Sequence, residues 1–127
     1  MGKNYLIDTN IGIYLMNGSL NSNALRFIEP IINATYYLSV ITKIELLGFA
    51  FADATNLADT TDFVNDSIVI SLTEDIVEQT IELRQRYKIK LPDAIIAATA
   101  IVHDFTLISR NDKDFSNIKE LSYFNPF

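Results

Sequence analysis

The sequence predicts a three-layer α/β fold in which a mainly parallel sheet is flanked by helices. Short apolar runs alternate along the chain with longer segments whose apolar residues recur at helical spacing. Strands that alternate with helices imply right-handed crossovers, and therefore a mainly parallel sheet covered on both faces. One predicted helix has Thr99 as its only polar residue between Ala94 and Val102. A helix that is apolar all round belongs in the middle of a fold, packed on several sides.

The strand and helix segments follow one another in a regular order. Strands are predicted at 5–7, 36–40, 67–71 and 106–109, with a last edge strand at 121–124. Helices are predicted at 11–17, 25–32, 42–49, 53–66, 76–88 and 92–103. The segment 53–66 is so rich in Asp, Thr and Asn that we expect a polar surface helix there.

Length and composition limit the class of protein. The 127 residues fit one domain, which we expect to span 1–127, and 49% hydrophobic with 20% charged residues is typical of globular proteins. No apolar run reaches the ~18 residues of a membrane span and no signal-peptide core follows Met1, so we expect a cytoplasmic protein with no membrane partner. The net charge of −6 argues against coating nucleic acid through bulk electrostatics.

Cysteine and histidine, two residue types that often carry chemistry, are wholly or nearly missing, and this restricts the chemistry. The chain has no cysteine, which excludes disulfides, thiolate metal sites and a cysteine nucleophile. Its single histidine, His103, lies near the end of the apolar helix, where a cation favours the helix dipole. The candidate chemistry therefore rests on carboxylates.

Acidic residues accumulate where the predicted strands end. Asp8 follows the first strand, Glu45 follows the second, Asp93 starts the apolar helix, and Asp112 and Asp114 follow the fourth strand. Ligands of such sheets bind at the carboxyl ends of the strands. Two carboxylates ~4 Å apart repel by about 4 kcal/mol at an effective dielectric of 20, so a cluster of them needs protons or a cation.

Oxygen ligands without cysteine or several histidines suit Mg²⁺ or Mn²⁺. Such ions support phosphodiester hydrolysis, in which Glu45 is the candidate to orient or deprotonate the attacking water. Thr9, Asn10 and Asn111 are candidates to hold waters or a phosphate oxygen, and Arg110 to bind a phosphate. A further basic run, at Arg84, Arg86, Lys88 and Lys90, is either an RNA contact or a set of cations that offset a helix dipole.

Structural roles compete with these assignments. Asp93 stands beside Pro92 in a first helical turn, where an acid is favourable for capping alone. Thr42 and Glu45 have the spacing of a capping box, in which Glu45 serves its own helix. The apolar residues Leu46, Leu47, Phe49 and Phe51 are either core or part of an interaction surface.

The motifs together carry a resemblance to a known family. Asp8-Thr9-Asn10 after the first strand, Glu45, the segment 91–100 (LPDAIIAATA) and the segment 109–115 (SRNDKDF) resemble the PIN-domain ribonucleases. In length and motif order the chain resembles the VapC toxins of bacterial toxin–antitoxin pairs. The segment 91–100 is the specific part of the match, and the resemblance covers essentially the whole chain.

The resemblance implies a metal-dependent endoribonuclease that cuts structured RNA, such as tRNA or ribosomal RNA. Asp8, Glu45 and Asp93 match the acidic triad that holds Mg²⁺ or Mn²⁺ in that family. The fourth acid is Asp114, which precedes Phe115, or Asp112 if the pocket is offset. The resemblance also implies a homodimer and a VapB-like antitoxin bound across the active site, whose carboxylates are an alternative ligand for Arg110.

Other classes fit the sequence less well. A receiver domain would have an acidic pair after the first strand and an acid after the third, where this chain has Ser71. A phosphatase with two aspartates one residue apart would have an acid in place of Asn10. A housekeeping PIN nuclease without an antitoxin and a catalytically silent PIN-like binding module stay open as alternatives.

Overall fold

A five-stranded sheet forms the centre of the molecule. The computed structural model describes residues 3–49 and 54–127, and Phe51 lies outside these residues. Within them the strands are β1 (Tyr5–Ile7), β2 (Tyr37–Ser39), β3 (Ile68–Ile70), β4 (Thr106–Ile108) and β5 (Tyr123–Phe124). Their order is β3-β2-β1-β4-β5, and each described pairing is parallel. The predicted α/β fold is confirmed; β1 has the predicted bounds, and the other four strands are shorter than the apolar runs that predicted them.

Seven helices in the described residues cover the sheet. They are α1 (Thr9–Asn17), α2 (Ser22–Ile32), α3 (Val40–Leu47), α4 (Ala54–Asp66), α5 (Glu74–Arg86), α6 (Leu91–His103) and α7 (Asp112–Phe115). None of these helices is both long and apolar enough to cross a membrane.

Two apolar layers lie on opposite faces of the sheet, because side chains alternate along each strand. Leu6 and Leu107 pack on one face with the buried residues of α5 and α6. Ile7, Leu38 and Ile108 pack on the other face with residues of α1, α2 and α4. Ala94 to Ala100 are all buried, so α6 is the interior helix that its sequence predicts.

The structure settles or corrects three details of the predicted helices. Pro30 lies inside α2 and does not end it, since the helix continues to Ile32. Helix α4 is not wholly a surface helix, because Phe63 and Val64 are buried. Helix α3 begins at Val40 because the Ser39 hydroxyl accepts a hydrogen bond from the Ile41 N–H at 3.1 Å, which makes Ser39 the N-cap.

The strand order places a topological switch point, and with it an expected ligand crevice, at the carboxyl ends of β1 and β4. From β1 the chain adds β2 and β3 on one side and β4 and β5 on the other, so the order reverses at β1. Ligands of open parallel sheets bind at such switch points, outside the carboxyl ends of the strands. The end of β1 carries Asp8 and the end of β4 carries Ser109, which places both residues at the crevice.

Candidate active site

Asp8 is a buried carboxylate at the junction of β1 and α1. Its side chain is 4% exposed, and Ile7 pairs with Ile108 in the neighbouring strand, which brings Ser109 alongside. One carboxylate oxygen accepts from the Thr9 N–H at 2.8 Å, and the other accepts from the Ser109 hydroxyl at 2.7 Å. Burial raises the pKa of Asp8 to about 6, and the charges of Asp93 and Glu45 add to the rise, although the two hydrogen bonds oppose it.

Asp93 faces the same crevice from the third position of α6. Lys90 is the N-cap of this helix and makes no side-chain capping bond, and Pro92 is the second helical residue, one place later than predicted. The pKa of Asp93 is raised to about 6, and burial is the largest cause. The charge of Asp114 is the second cause, and the Asp114 carboxyl group also lies within hydrogen-bonding reach of Asp93. The charge of Glu45 raises the pKa further. Asp93 therefore belongs to a group of carboxylates and does not serve only as a helix-start residue.

Glu45 reaches the crevice from α3 and is held there by Thr9. The predicted capping box between Thr42 and Glu45 is wrong, because the helix starts at Val40 and Thr42 is a buried residue inside its first turn. Glu45 instead accepts a hydrogen bond from the Thr9 hydroxyl at 2.6 Å, and Thr9 Oγ1 also lies 3.1 Å from Thr42 Oγ1. Glu45 is otherwise exposed.

The two acids after β4 point to different neighbours. Asp114 is contacted by Asn111, whose side-chain amide donates to Asp114 Oδ2 at 2.8 Å, and its carboxyl group is the one that meets Asp93. Asp112 accepts from the Tyr123 hydroxyl at 2.5 Å and from the Asn125 amide at 3.2 Å. We call Asp8, Glu45, Asp93 and Asp114 the acidic cluster, because electrostatic coupling or hydrogen bonding links each of them to another member.

Ser109 joins the remaining polar residues to this cluster. It is fully buried, donates to Asp8, and accepts from the Asn10 amide at 3.2 Å and from the Asn111 N–H at 3.0 Å. Asn10 Oδ1 accepts in turn from the Arg110 N–H at 3.3 Å. Ser109 was not among the residues predicted to form the site, although a serine between a buried strand and a polar turn was the available signal.

Two arginines of the predicted basic run, Arg84 and Arg86, lie in the last turn of α5, whereas Arg110 lies just after β4. Arg86 pairs with Glu120 at 2.8 Å and Arg84 donates to the Ile89 carbonyl at 3.2 Å, so both hold α5 to its surroundings. Arg110 lies beside the crevice, with its guanidinium carbon 4.2 Å from the ring centre of Phe127. His103 is exposed, and its ring stacks on Phe105 at 5.3 Å between centroids.

The chemistry of the acidic cluster fits a hard divalent cation. Its donors are carboxylate oxygens, and in the part of the chain that the structure describes Arg86 is the one cationic side chain that forms ion pairs, with Glu82 and Glu120. No three acidic or histidine side chains of these residues are close enough together to hold one ion jointly. Mg²⁺ often binds through one or two carboxylates and completes its shell with water and substrate oxygens. Asp8 and Asp93 form no ion pair within the described residues, and burial is the main cause of their raised pKa values, although the charge of Lys90 opposes the rise at Asp93. They are the members best suited to that role.

Comparison with known proteins agrees with this arrangement. The family model described as the PIN domain matches residues 5–121. The chain belongs to the PIN domain family. No curated protein sequence is significantly similar to it.

Solved structures similar to this PIN domain come from bacterial toxin–antitoxin complexes. A chain of a toxin-antitoxin complex from Klebsiella pneumoniae is 34% identical with a TM-score of 0.80, over 97% of this chain and 98% of that chain. A chain of VapBC-1 from nontypeable Haemophilus influenzae is 28% identical with a TM-score of 0.75, over 95% and 96%. A chain of VapBC2 from Rickettsia felis, bound to a DNA fragment from their promoter, is 25% identical with a TM-score of 0.81, over 95% and 97%.

Proposed function

We propose that this PIN domain, taken as a single nuclease domain over 1–127, is an endoribonuclease that depends on Mg²⁺ or Mn²⁺. One observation carries the proposal: Asp8 and Asp93 are drawn into the crevice beside Glu45 and Asp114, with no cationic side chain paired to them in the described residues. This arrangement lowers the stability of the fold, since burial and neighbouring like charges disfavour the ionised carboxylates. A cation supplied from solution would offset that cost and give the site its chemistry.

The residues of the cluster have separate tasks in this proposal. When bound, a metal would lower the pKa of an attacking water and would stabilise the charge that develops on the phosphate. Asp8 and Asp93 would hold the ion, and Ser109 fixes the Asp8 carboxylate by donating to Oδ2 at 2.7 Å. Glu45 accepts the proton of the attacking water, and the Thr9 hydroxyl fixes its orientation from 2.6 Å.

The other polar residues support the same site. Asn111 holds the Asp114 carboxyl beside Asp93, and Asn10 connects Ser109 to the backbone of Arg110. Thr9, Asn10 and Asn111 are therefore proposed to position carboxylates, in addition to the waters or phosphate oxygens they were predicted to hold. Asp114 is the proposed fourth acid, and Arg110 is the proposed phosphate ligand.

The biological role is proposed from the similar structures. Because those structures are toxin–antitoxin complexes, we propose that this chain is a VapC-type toxin with a VapB-like antitoxin and that it forms a homodimer. The proposed substrate is structured RNA, tRNA or ribosomal RNA. The exposed apolar residues Ile44 and Phe49 lie on and just after α3 and are candidates for the protein interfaces.

Cleavage of total cellular RNA by the purified, antitoxin-free protein tests the proposal. The reactions contain Mg²⁺, Mn²⁺ or EDTA, and Asp93→Asn and Glu120→Gln are run in parallel. We expect discrete, metal-dependent cuts that leave 5′-phosphates, retained in Glu120→Gln and reduced about 100-fold or more in Asp93→Asn, because a metal contributes several kcal/mol to the transition state. Glu120→Gln is the matched control, since it also removes one carboxylate, but one that is paired with Arg86 and is not among the groups that shift the pKa of Asp8 or Asp93.

Two results would contradict the proposal. Folded parental protein, verified by circular dichroism, that cuts no RNA with either metal would favour the silent binding module. Parental cutting by Asp93→Asn would show that the acidic cluster is not the site of chemistry. Cutting by a protein whose gene has no antitoxin gene beside it would favour a housekeeping nuclease.

A further inference from the structure

Arg110 differs from the other arginines near the sheet in what its guanidinium contacts. Arg86 and Arg84 donate to Glu120 and to the Ile89 carbonyl. The Arg110 guanidinium makes no hydrogen bond or ion pair within residues 3–49 and 54–127, and its recorded contacts are with aromatic rings. Its carbon lies 4.2 Å from the ring centre of Phe127 and 5.6 Å from that of Tyr14. Its N–H groups are therefore free for a ligand.

The two rings are themselves held in place. Tyr14 and Phe127 pack edge to face, with centroids 5.6 Å apart and planes at 72°. The Phe127 N–H donates to Asn125 Oδ1 at 3.0 Å, and the Asn125 amide donates to both carboxylate oxygens of Asp112 at 3.2 Å. The Asp112 side chain thus anchors the segment that carries Phe127, on the opposite side of the turn from Asp114.

The position of Arg110 relative to the acidic cluster suggests what it binds. Arg110 follows Ser109, which donates to Asp8, and its own N–H donates to Asn10 Oδ1. When the flat face of a guanidinium lies over an aromatic ring, its N–H groups point outward in the guanidinium plane. In that direction they can donate two hydrogen bonds to two oxygens of one phosphate. In a protein with a net charge of −6, a cation beside the acidic cluster is well placed to draw RNA phosphates to it.

We propose that Phe127 and Tyr14 form an aromatic clamp that orders Arg110 to bind a backbone phosphate of single-stranded RNA next to the scissile one. This inference rests on the proposed nuclease function and adds a substrate contact to it. Arg110 is the binding residue, whereas Phe127, Tyr14 and Asp112 are positioning residues that act through it. The clamp already restricts the Arg110 side chain before RNA binds. Less side-chain conformational entropy is therefore lost on binding.

Binding and cleavage are measured separately to test the clamp. Binding of a fluorescent single-stranded RNA of mixed sequence is followed by anisotropy at several salt concentrations, with Ca²⁺ in place of Mg²⁺. We expect Arg110→Gln to weaken binding about tenfold and to reduce the slope of log affinity against log salt by about 0.7, the loss of one phosphate contact. Arg26→Gln, which removes an exposed arginine on α2, should leave both quantities near the parental values.

The clamp itself is tested through Phe127. Phe127→Leu should weaken RNA binding about threefold, in the range of an exposed cation–π contact, and Phe127→Tyr should restore it. In the Arg110→Gln background Phe127→Leu should have no further effect, because the ring then has no guanidinium to order. Phe124→Leu is the control for loss of a ring, since Phe124 packs on Phe27 at 4.7 Å.

Each alternative result has a defined meaning. Equal binding and salt slope in Arg110→Gln and Arg26→Gln would overturn the phosphate assignment. An equal loss from Phe127→Leu in both backgrounds would overturn the clamp. RNA that binds with the expected dependence on Arg110 but is never cut would reject the nuclease function and leave only the binding of an RNA phosphate by Arg110, with no scissile phosphate beside it. A parental protein that binds no RNA would overturn both.

Discussion

The acidic cluster and the Glu120 ion pair use the same side chains in opposite ways. Glu120 accepts from the Tyr87 hydroxyl and from Arg86, each at 2.8 Å, and the Tyr87 hydrogen bond is the main reason why its pKa is lowered. Asp8 and Asp93 are more buried, form no ion pair in the described residues, and have pKa values raised to about 6, although the charge of Lys90 opposes the rise at Asp93. The first arrangement satisfies a carboxylate within the protein, whereas the second leaves carboxylates to be satisfied by a ligand.

This difference separates a structural site from a candidate functional one. Perturbed pKa values concentrate at functional sites, but ion pairs within the fold also perturb them. The direction of the shift distinguishes the two cases here. A lowered pKa marks a carboxylate that stabilises the fold, and a raised pKa marks one that costs stability until a proton or a cation arrives.

Among the tests of this contrast, the largest expected effect separates the two acids that follow β4. Asp114→Asn should reduce metal-dependent RNA cleavage about 10- to 100-fold, because Asp114 adjoins Asp93 and supports a metal ligand. Asp112→Asn should change it about threefold or less, through weaker hydrogen bonds to Tyr123 and Asn125. Single-turnover rates of both variants at saturating protein measure the contrast. The reverse order would make Asp112 the fourth acid.

The limits of the sequence prediction follow from the same residues. Asp8 and Asp93 could be placed because each stands next to an unmistakable element, a buried strand or an apolar helix. The choice between Asp112 and Asp114 could not be made, because the four-residue helix α7 decides which of them turns toward Asp93. The role of Glu45 was equally undecided, since it depends on where α3 begins and Val40 and Ile41 fit either the strand or the helix.

Side-chain contacts between residues far apart in the chain could not be predicted from the sequence either. Ser109 meets Asp8 across 101 positions of the chain, and Thr9 meets Glu45 across 36. Strand pairing brings these residues together, and the order of the strands is not encoded in any local pattern. The fold class was predictable because hydrophobic periodicity is a local property of the sequence. The hydrogen bonds that Ser109 and Thr9 donate to the acids depend instead on the topology of the fold.

The next effect is on stability in the absence of metal. The folded pKa of Asp93, about 6, exceeds its ordinary value of 3.8, so its favourable contribution is complete below pH 3.8 and is lost as the pH rises through 6. Asp93→Asn removes this loss. After discounting for solvent screening of a half-buried group, the variant should be about 1 kcal/mol more stable than the parent at pH 7.5, a rise in Tm of roughly 4 °C.

Thermal melts of both proteins in EDTA from pH 4 to pH 7.5 measure this difference. The gap in Tm should open between about pH 4 and pH 6.5 and stay constant above, since Asp93 is then ionised in both states. Mn²⁺ at pH 7.5 should reverse the order by stabilising the parent selectively. A variant less stable than the parent at every pH would show that Asp93 is a structural carboxylate like Glu120.

The smallest expected effect has the opposite sign and comes from the Glu120 ion pair. Because the pKa of Glu120 is lowered, its stabilising contribution is present above its ordinary value of 4.5 and is lost as the pH falls through the folded value. Glu120→Gln should therefore lower stability at pH 7.5 by about 0.2–1 kcal/mol, the range of exposed pairs, and by less at high salt. Melts at low pH, where both side chains are neutral, should show little difference, and Mn²⁺ should stabilise parent and variant alike. A stabilising Glu120→Gln, or one that responds to Mn²⁺ as Asp93→Asn does, would remove the contrast between a carboxylate satisfied by the fold and one held for a cation.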